Sequence, residues 1–296
     1  MSREVGETNS RTKQGRRRHL DVAPEQTFTR RPSSDSRQTA QWDPAFAAKF
    51  KEAVKPLVER WFRAEVRGIE QLPAGKALVV SNHSGGALTP DVIVFCSKFY
   101  DEFGYDRPVY TLAHDQVLVG PFADWLPRAG VIRASRESAA EALGSGGVVL
   151  VFPGGDFDSY RPTTAANVID FNGRMGYVRT AVEARAPIVP VVSIGAQEGQ
   201  LFVTRGDGLA KRLGLRRLRV DILPISIGFP FGASVFMFPP NLPLPTKVVT
   251  QVLKPIHVGR QFGRNPDIAE VDAYVRGVMQ TALDELAEQR RFPIIG

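Results

Sequence analysis

Hydrophobic and polar positions change rhythm several times along this chain, and each rhythm predicts an element. After Asp43-Pro44, an N-cap acid with proline in the first turn, Phe46, Phe50, Val54, Leu57, Val58, Trp61 and Phe62 recur at helical spacing. Pro56 falls inside this helix and is expected to kink it. Lys49, Lys51, Lys55, Arg60 and Arg63 occupy other positions around the wheel, so the apolar stripe suits either core packing or docking at a membrane interface. Short apolar runs at 64–66 and 77–80, with a turn at Leu72-Pro73-Ala74-Gly75 between them, read as strands. So do 109–112, 148–152, 188–194, 218–222 and 248–253. Helices are predicted over 91–103, 121–125, 136–143, 176–185 and about 266–290. Strands alternating with helices predict a single α/β domain, a mainly parallel sheet flanked by helices.

Composition adds a boundary to this picture. The chain has 296 residues, 43% of them hydrophobic, enough for one such domain. Its net charge is +7, and more than half of that comes from residues 1–41, where nine Lys/Arg face five Asp/Glu and Phe28 is the one aromatic. That predicts a disordered basic arm over 1–41 and a folded domain over 42–296. The arm suits a solvated tail, or attraction of Arg16-Arg17-Arg18 to an anionic membrane surface. No nucleic-acid motif accompanies the charge, so no nucleic-acid partner is expected. The lone Cys96 excludes an internal disulfide and a Cys-rich metal site. No N-terminal stretch resembles a signal peptide. The longest uncharged run, 222–246, carries six prolines and two glycines, which excludes one regular spanning helix. Its Phe229, Phe231, Phe236, Met237 and Phe238 suit an acyl channel, an insertion into a membrane interface, or an irregular loop on the core.

Open α/β sheets carry their sites beyond the carboxyl ends of strands, and two such ends hold unusual residues. The first is Ser81-Asn82-His83-Ser84-Gly85-Gly86-Ala87-Leu88-Thr89-Pro90-Asp91. The strand delivers His83 into a glycine-bearing loop, Thr89 suits an N-cap, and Pro90 then puts Asp91 in the first helical turn. An acid there can reach back to the imidazole, fix its tautomer and stabilise its protonated form; a structural histidine is the alternative. The second end is Phe152-Pro153-Gly154-Gly155-Asp156, continuing through Asp158 to Arg161. Two glycines after a buried strand suit either close backbone approach to a ligand or an ordinary tight turn.

Taken together, these blocks resemble the glycerolipid acyltransferase superfamily, which includes bacterial lysophosphatidate acyltransferases and the diacylglycerol acyltransferase-like enzymes. Val66-Arg67-Gly68-Ile69-Glu70-Gln71-Leu72-Pro73, leading to His83, resembles the lead-in to the family's His…Asp motif. Phe152-Pro153-Gly154-Gly155 resembles its Phe-Pro-Glu/Gly-Gly block, Pro187-Ile188-Val189-Pro190-Val191 its late strand, and Val252-Leu253-Lys254-Pro255-Ile256 its closing strand. Two departures stand out. Seven residues separate His83 from Asp91, against four in the family, and Gly154 stands where phosphate-acceptor members carry Glu. The second departure leans toward a neutral glycerolipid acceptor.

The resemblance implies transfer of a fatty acyl group from acyl-CoA or acyl carrier protein to a hydroxyl of a glycerolipid or lysophospholipid, with a role in phospholipid biosynthesis or lipid metabolism. His83 is then the general base, since an imidazole of pKa about 6.5 suits proton abstraction near neutral pH, and Asp91 is its partner. Gly154, Gly155 and Asp156 are expected at the substrate, with backbone N–H groups at the glycines as oxyanion donors. Arg133, Arg136 and Arg161 are the candidates for a substrate phosphate. No metal or cofactor beyond the acyl donor is implied, and the protein is expected peripherally on the cytoplasmic face of a membrane. Two rivals remain. One is a serine-type lipid hydrolase, although no G-x-S-x-G elbow is present. The other is a catalytically silent lipid-binding adaptor on the same fold. Gly75-Lys76-Ala77 misses the P-loop pattern in spacing and in its last residue.

Overall fold

The computed structural model describes residues 38–296, apart from 87–88, 120–122, 219, 237, 293 and 295–296. In chain order its strands are Glu65–Arg67 (β1), Ala77–Ser81 (β2), Val109–Ala113 (β3), Val131–Arg133 (β4), Val148–Val151 (β5), Ile188–Ile194 (β6), Leu201–Thr204 (β7), Ile225–Gly228 (β8), Gly232–Val235 (β9) and Val249–Val252 (β10). Its helices are Pro44–Pro56 (α1), Pro90–Phe103 (α2), Arg136–Gly144 (α3), Gly155–Ser159 (α4), Gly176–Glu183 (α5), Asp207–Arg212 (α6), Val258–Gln261 (α7) and Ile268–Gln289 (α8). The basic arm expected over 1–41 lies outside the described residues up to position 37. Its last four residues form a 3-10 turn, in which the Thr39 hydroxyl donates to Glu141 and the Thr39 carbonyl accepts from Tyr110 Oη at 3.3 Å. The described structure therefore includes residues ahead of the expected boundary at 42.

Seven strands form one sheet in the order β1-β10-β6-β2-β5-β3-β4. β6, β2, β5, β3 and β4 are mutually parallel; β10 runs antiparallel to β6, and β1 is parallel to β10. This is the mainly parallel sheet flanked by helices that the alternation of elements predicts. Strand β2 shows how it is held. All five of its residues are buried, and the two-residue period sends them two ways. Leu78 and Val80 pack with α3, α5 and α8, while Ala77 and Val79 meet Phe95, Phe99 and Tyr100 of α2 on the opposite face. A strand covered on both faces is apolar throughout, which is why this segment lacks a polar alternation.

Helix α1 starts as its sequence dictates, with Asp43 Oδ1 accepting from Phe46 N at 3.0 Å, a cap that contributes about 1 kcal/mol. After Pro56 the α-helical ladder gives way to π-helical bonding over Leu57–Trp61, where Phe62 N reaches Leu57 O at 2.9 Å. Val58 and Phe62 enter the core beside Val94, Ala196 and Val248, with Val54 packed against them, while Phe46 and Phe50 are half-buried. Leu57 and Trp61 stay at the surface.

Two predicted elements differ. In place of a strand over 218–222, Leu215–Leu218 is a 3-10 turn and 220–224 lie outside strands. The backbone there bonds elsewhere, with Leu223 N on Arg205 O at 3.0 Å, and Ile222 is anchored with Tyr160 and Phe202. The helix expected over 121–125 is, where described, a turn over 123–126. The uncharged run 222–246 folds partly into β8 and β9, which join β7 in a separate antiparallel sheet ordered β7-β8-β9. No helix among the described residues is long and apolar enough to cross a membrane.

Candidate active site

Strands β2 and β5 are neighbours, with Val80 opposite Val151, so their carboxyl ends stop side by side. Beyond Ser81, the side chain of Asn82 continues the contact with β6. Its Nδ2 donates to Ser193 O at 2.9 Å and its Oδ1 accepts from Ser193 N at 2.9 Å, an amide standing in for a ladder residue. His83 follows, and the chain then turns through Gly85, whose φ is +130° and where a Cβ would come within 2.8 Å of Gln197 Cα. Only glycine passes there. Pro90 opens α2 as expected. Thr89 occupies the N-cap position but makes no side-chain cap, because its φ of 35° is left-handed, whereas a capping residue is extended.

Asp91, in the first turn of α2, reaches back across the loop. His83 Nδ1 lies 2.8 Å from Asp91 Oδ2, and Ser84 Oγ donates to Asp91 Oδ1 at 3.1 Å. A carboxylate only accepts, so Nδ1 carries the proton, which in the neutral ring leaves the lone pair on Nε2. His83 is 8% exposed and Asp91 2%. The imidazole lies flat on Phe152, centroids 4.0 Å apart and planes within 3°. The two strand ends singled out in the sequence thus converge on one ring, and the longer His–Asp spacing still closes the pair.

Beneath the ring lies a buried ion pair. Asp158 Oδ2 accepts from the His83 main-chain N–H at 2.5 Å, while Asp158 Oδ1 accepts from Arg161 Nη1. Arg161 Nη2 returns to the His83 carbonyl at 3.1 Å, and Nη1 also reaches Val168 O at 2.7 Å. The pair therefore grips His83 by both of its backbone polar groups. Burial pushes the Asp158 carboxyl up from the usual range, against the opposing pull of the Arg161 guanidinium and the His83 N–H. Arg161, expected at a substrate phosphate, is 1% exposed; its two terminal nitrogens are bonded to the protein, and its buried Nε has no partner. Gln197 supports it, its Nε2 donating to the Arg161 carbonyl. Asn82, Ser84 and Gln197 carried no signal in the sequence. The Asp158–Arg161 pair had one, its spacing of three on a helical turn.

The remaining candidates sit differently. The Gly155 N–H donates to Phe152 O at 3.0 Å, so it is not an open oxyanion donor as expected. A Cβ at Gly154 would run into the Asp158 side chain, which leaves no room for the Glu of phosphate-acceptor relatives. Asp156 Oδ1 accepts from Phe157 N at 2.9 Å and from Arg174 Nη2 at 3.1 Å. Arg174 Nη1 also holds Gly154 O at 2.8 Å, which makes this arginine, absent from the sequence-based set, the pin of the loop. Arg133 lies on β4, three strands from β2 and hence about 14 Å across the sheet, with its Nε on Asp115 Oδ1 at 2.7 Å. Arg136 is the exposed first residue of α3. Neither is brought to the dyad.

A sequence model of the Acyltransferase family matches residues 63–194, which carry both strand ends. An uncharacterised protein of Mycobacterium tuberculosis is 31% identical over 260 residues, covering 84% of this chain and 69% of that protein. The Mus musculus DGAT1/2-independent enzyme synthesizing storage lipids is 28% identical over 199 residues, 65% of this chain and 56% of that enzyme. The crystal structure of the 1-acyl-sn-glycerophosphate (LPA) acyltransferase PlsC from Thermotoga maritima superposes with a TM-score of 0.49 at 18% identity, over 83% of this chain and 84% of that one. With the family's motifs in order along the chain and its His and Asp in hydrogen-bond contact, this protein belongs to the glycerolipid acyltransferase superfamily.

Proposed function

We propose that the protein moves a fatty acyl group from a thioester donor, acyl-CoA or acyl carrier protein, to a hydroxyl of a glycerolipid, with His83 as general base. The observation that carries this reading is the Nδ1 contact with Asp91, which leaves Nε2 as the basic face of a fixed ring. An alcohol is a poor nucleophile until its proton is removed. Nε2 takes that proton as the acceptor oxygen attacks the thioester carbon, and Asp91 stabilises the imidazolium. Collapse of the tetrahedral adduct expels the thiolate, which recovers the proton from Nε2. Asp158 and Arg161 serve as positioning residues, because a main chain held at both N–H and C=O keeps the ring from swinging. A hydrolase using Ser84 is disfavoured, since that hydroxyl donates to Asp91.

A neutral acceptor, a monoacylglycerol or diacylglycerol, fits better than lysophosphatidate. Of the three nominated arginines, Arg161 is committed beneath the ring, and Arg133 and Arg136 stand away from it. With its hydroxyl at Nε2, lysophosphatidate would therefore bring its phosphate to the site without those counter-charges. The likeness to an enzyme synthesizing storage lipids points the same way. Mass spectrometry of products from labelled acyl-CoA or acyl carrier protein, with monoacylglycerol, diacylglycerol and lysophosphatidate in competition, tests both levels. Acylated neutral lipid is expected. Exclusive acylation of lysophosphatidate overturns the acceptor, and no transfer to any hydroxyl lipid overturns the function.

A further inference from the structure

The small sheet is built inside out. Half-exposed antiparallel sheets place apolar residues inward and polar residues outward. Here Ser226 and Ser234 face inward at 2% exposure each, satisfied by Gln200 Nε2 at 2.7 Å and by Asn241 Nδ2 at 2.5 Å. Leu201, Ile227 and Val235 face outward, between 46% and 49% exposed, and the bulged Val203 is exposed beside them. Pairing makes this face continuous. Leu201 is opposite Ile227, which is opposite Ala233, so one apolar row crosses all three strands.

Three phenylalanines extend the row. Alternation along β8 carries Phe229 to the side of Ile227, and Phe238 bridges to the outward Val235. Phe231 stands in the turn between β8 and β9. The three rings are 60–75% exposed. At the border, Trp61 is 42% exposed and its indole N–H donates to Pro243 O at 3.0 Å, an amphipathic ring with its polar end satisfied.

Charge tells what covers this face. Residues 200–246 hold six Lys/Arg and two Asp/Glu, all within 205–221, and the 25 residues that follow are uncharged. Lys211, Arg212 and Arg217, on and just after α6, are exposed. An anionic bilayer takes up both features, apolar side chains at the acyl boundary and cations at the headgroups. The inner face of the sheet meanwhile rests on the site. Phe202 and Phe236 pack on Tyr160, with ring centroids 6.3 and 5.8 Å away, and Gly86 N, in the loop after His83, bonds Ser159 O at 2.9 Å.

We infer that the outer face of the β7-β8-β9 sheet, with Phe229, Phe231 and Phe238, docks on an anionic membrane and so presents the His83 loop to lipid. The inference rests on the proposed lipid acceptor for its purpose, and on the sheet, Trp61 and the exposed cations for its physics. The test is co-sedimentation of the full chain with phosphatidylcholine vesicles, with and without phosphatidylglycerol. Wild-type protein is expected to bind the anionic vesicles, more weakly as salt rises. The Phe229→Ser/Phe231→Ser/Phe238→Ser variant is expected to lose about tenfold or more in partitioning while keeping its turnover on detergent-dispersed substrate. Ile227→Glu, a single change on the exposed face, provides the same readout should the triple variant misfold. Equal vesicle binding by folded variants overturns the proposal. So does a wild-type dimer that Ile227→Glu dissociates in the absence of vesicle binding. Loss of vesicle binding in a chain that acylates nothing would keep the docking surface and remove the enzymatic reading.

Discussion

In the seven-stranded sheet, the apolar side chains of β2 and β5 are covered on both faces; in the three-stranded sheet, serines point inward and Leu201, Ile227 and Val235 point out. Both sheets use β-branched and aliphatic residues, so composition does not separate them. Surroundings do. The large sheet has helices on each side, and it holds a histidine at the carboxyl end of β2 against packed neighbours. The small sheet rests on Tyr160 and on the loop after His83 through one face and leaves the other open. Rigidity and chemistry belong to the first, and a surface for a partner phase to the second.

The largest expected effect breaks the chemistry and spares the fold. His83→Ala should lower acyl transfer by about 10²- to 10⁴-fold with an unchanged far-UV circular dichroism spectrum; near-normal turnover by pure variant would end the general-base assignment. Next comes the buried pair. Arg161→Met leaves Asp158 without its counter-charge, and chemical denaturation should report a loss of about 3–5 kcal/mol. The sign with pH follows from burial. A raised carboxyl pKa means that the ionised form is the costly one, so the deficit should grow as pH rises through that pKa and shrink toward acid. Adding Asp158→Asn to Arg161→Met should restore part of the stability. If Arg161→Met were neutral to stability and raised KM only for phosphorylated acceptors, Arg161 would return to the substrate.

Smaller effects sharpen the contrast. Gly154→Glu forces a side chain against Asp158 and should destabilise by about 1–3 kcal/mol. It should not turn the enzyme toward lysophosphatidate, which product analysis would show. Ile227→Ser, on the open face of the small sheet, should change stability by no more than about 0.5 kcal/mol in the same denaturation assay. A loss of several kcal/mol there would mean that the face is covered within the protein itself.

The dyad was legible because its parts are close in sequence. A strand that ends at Ser81, a loop with glycines, and proline at the start of a helix put His83 and Asp91 within reach by local rules, even with three extra residues between them. The grip on His83 was not legible. Asp158 and Arg161 lie 75 and 78 positions away from it, and they meet it only because β2 and β5 pair. Arg161 turns inward and Arg133 stands three strands away, placements that a count of arginines near a motif does not reveal.

The sequence by itself determined the alternation of strands and helices, the both-faces-buried character of β2, and the His83–Asp91 unit, since each follows from periodicity or chain geometry over a dozen residues. The tertiary structure decided what Asp158 and Arg161 hold, and which way the small sheet faces. A two-residue period in Ile225-Ser226-Ile227 defines two faces but says nothing about which of them is covered. That depends on what the rest of the chain packs against the strand, and here it packs against the serines.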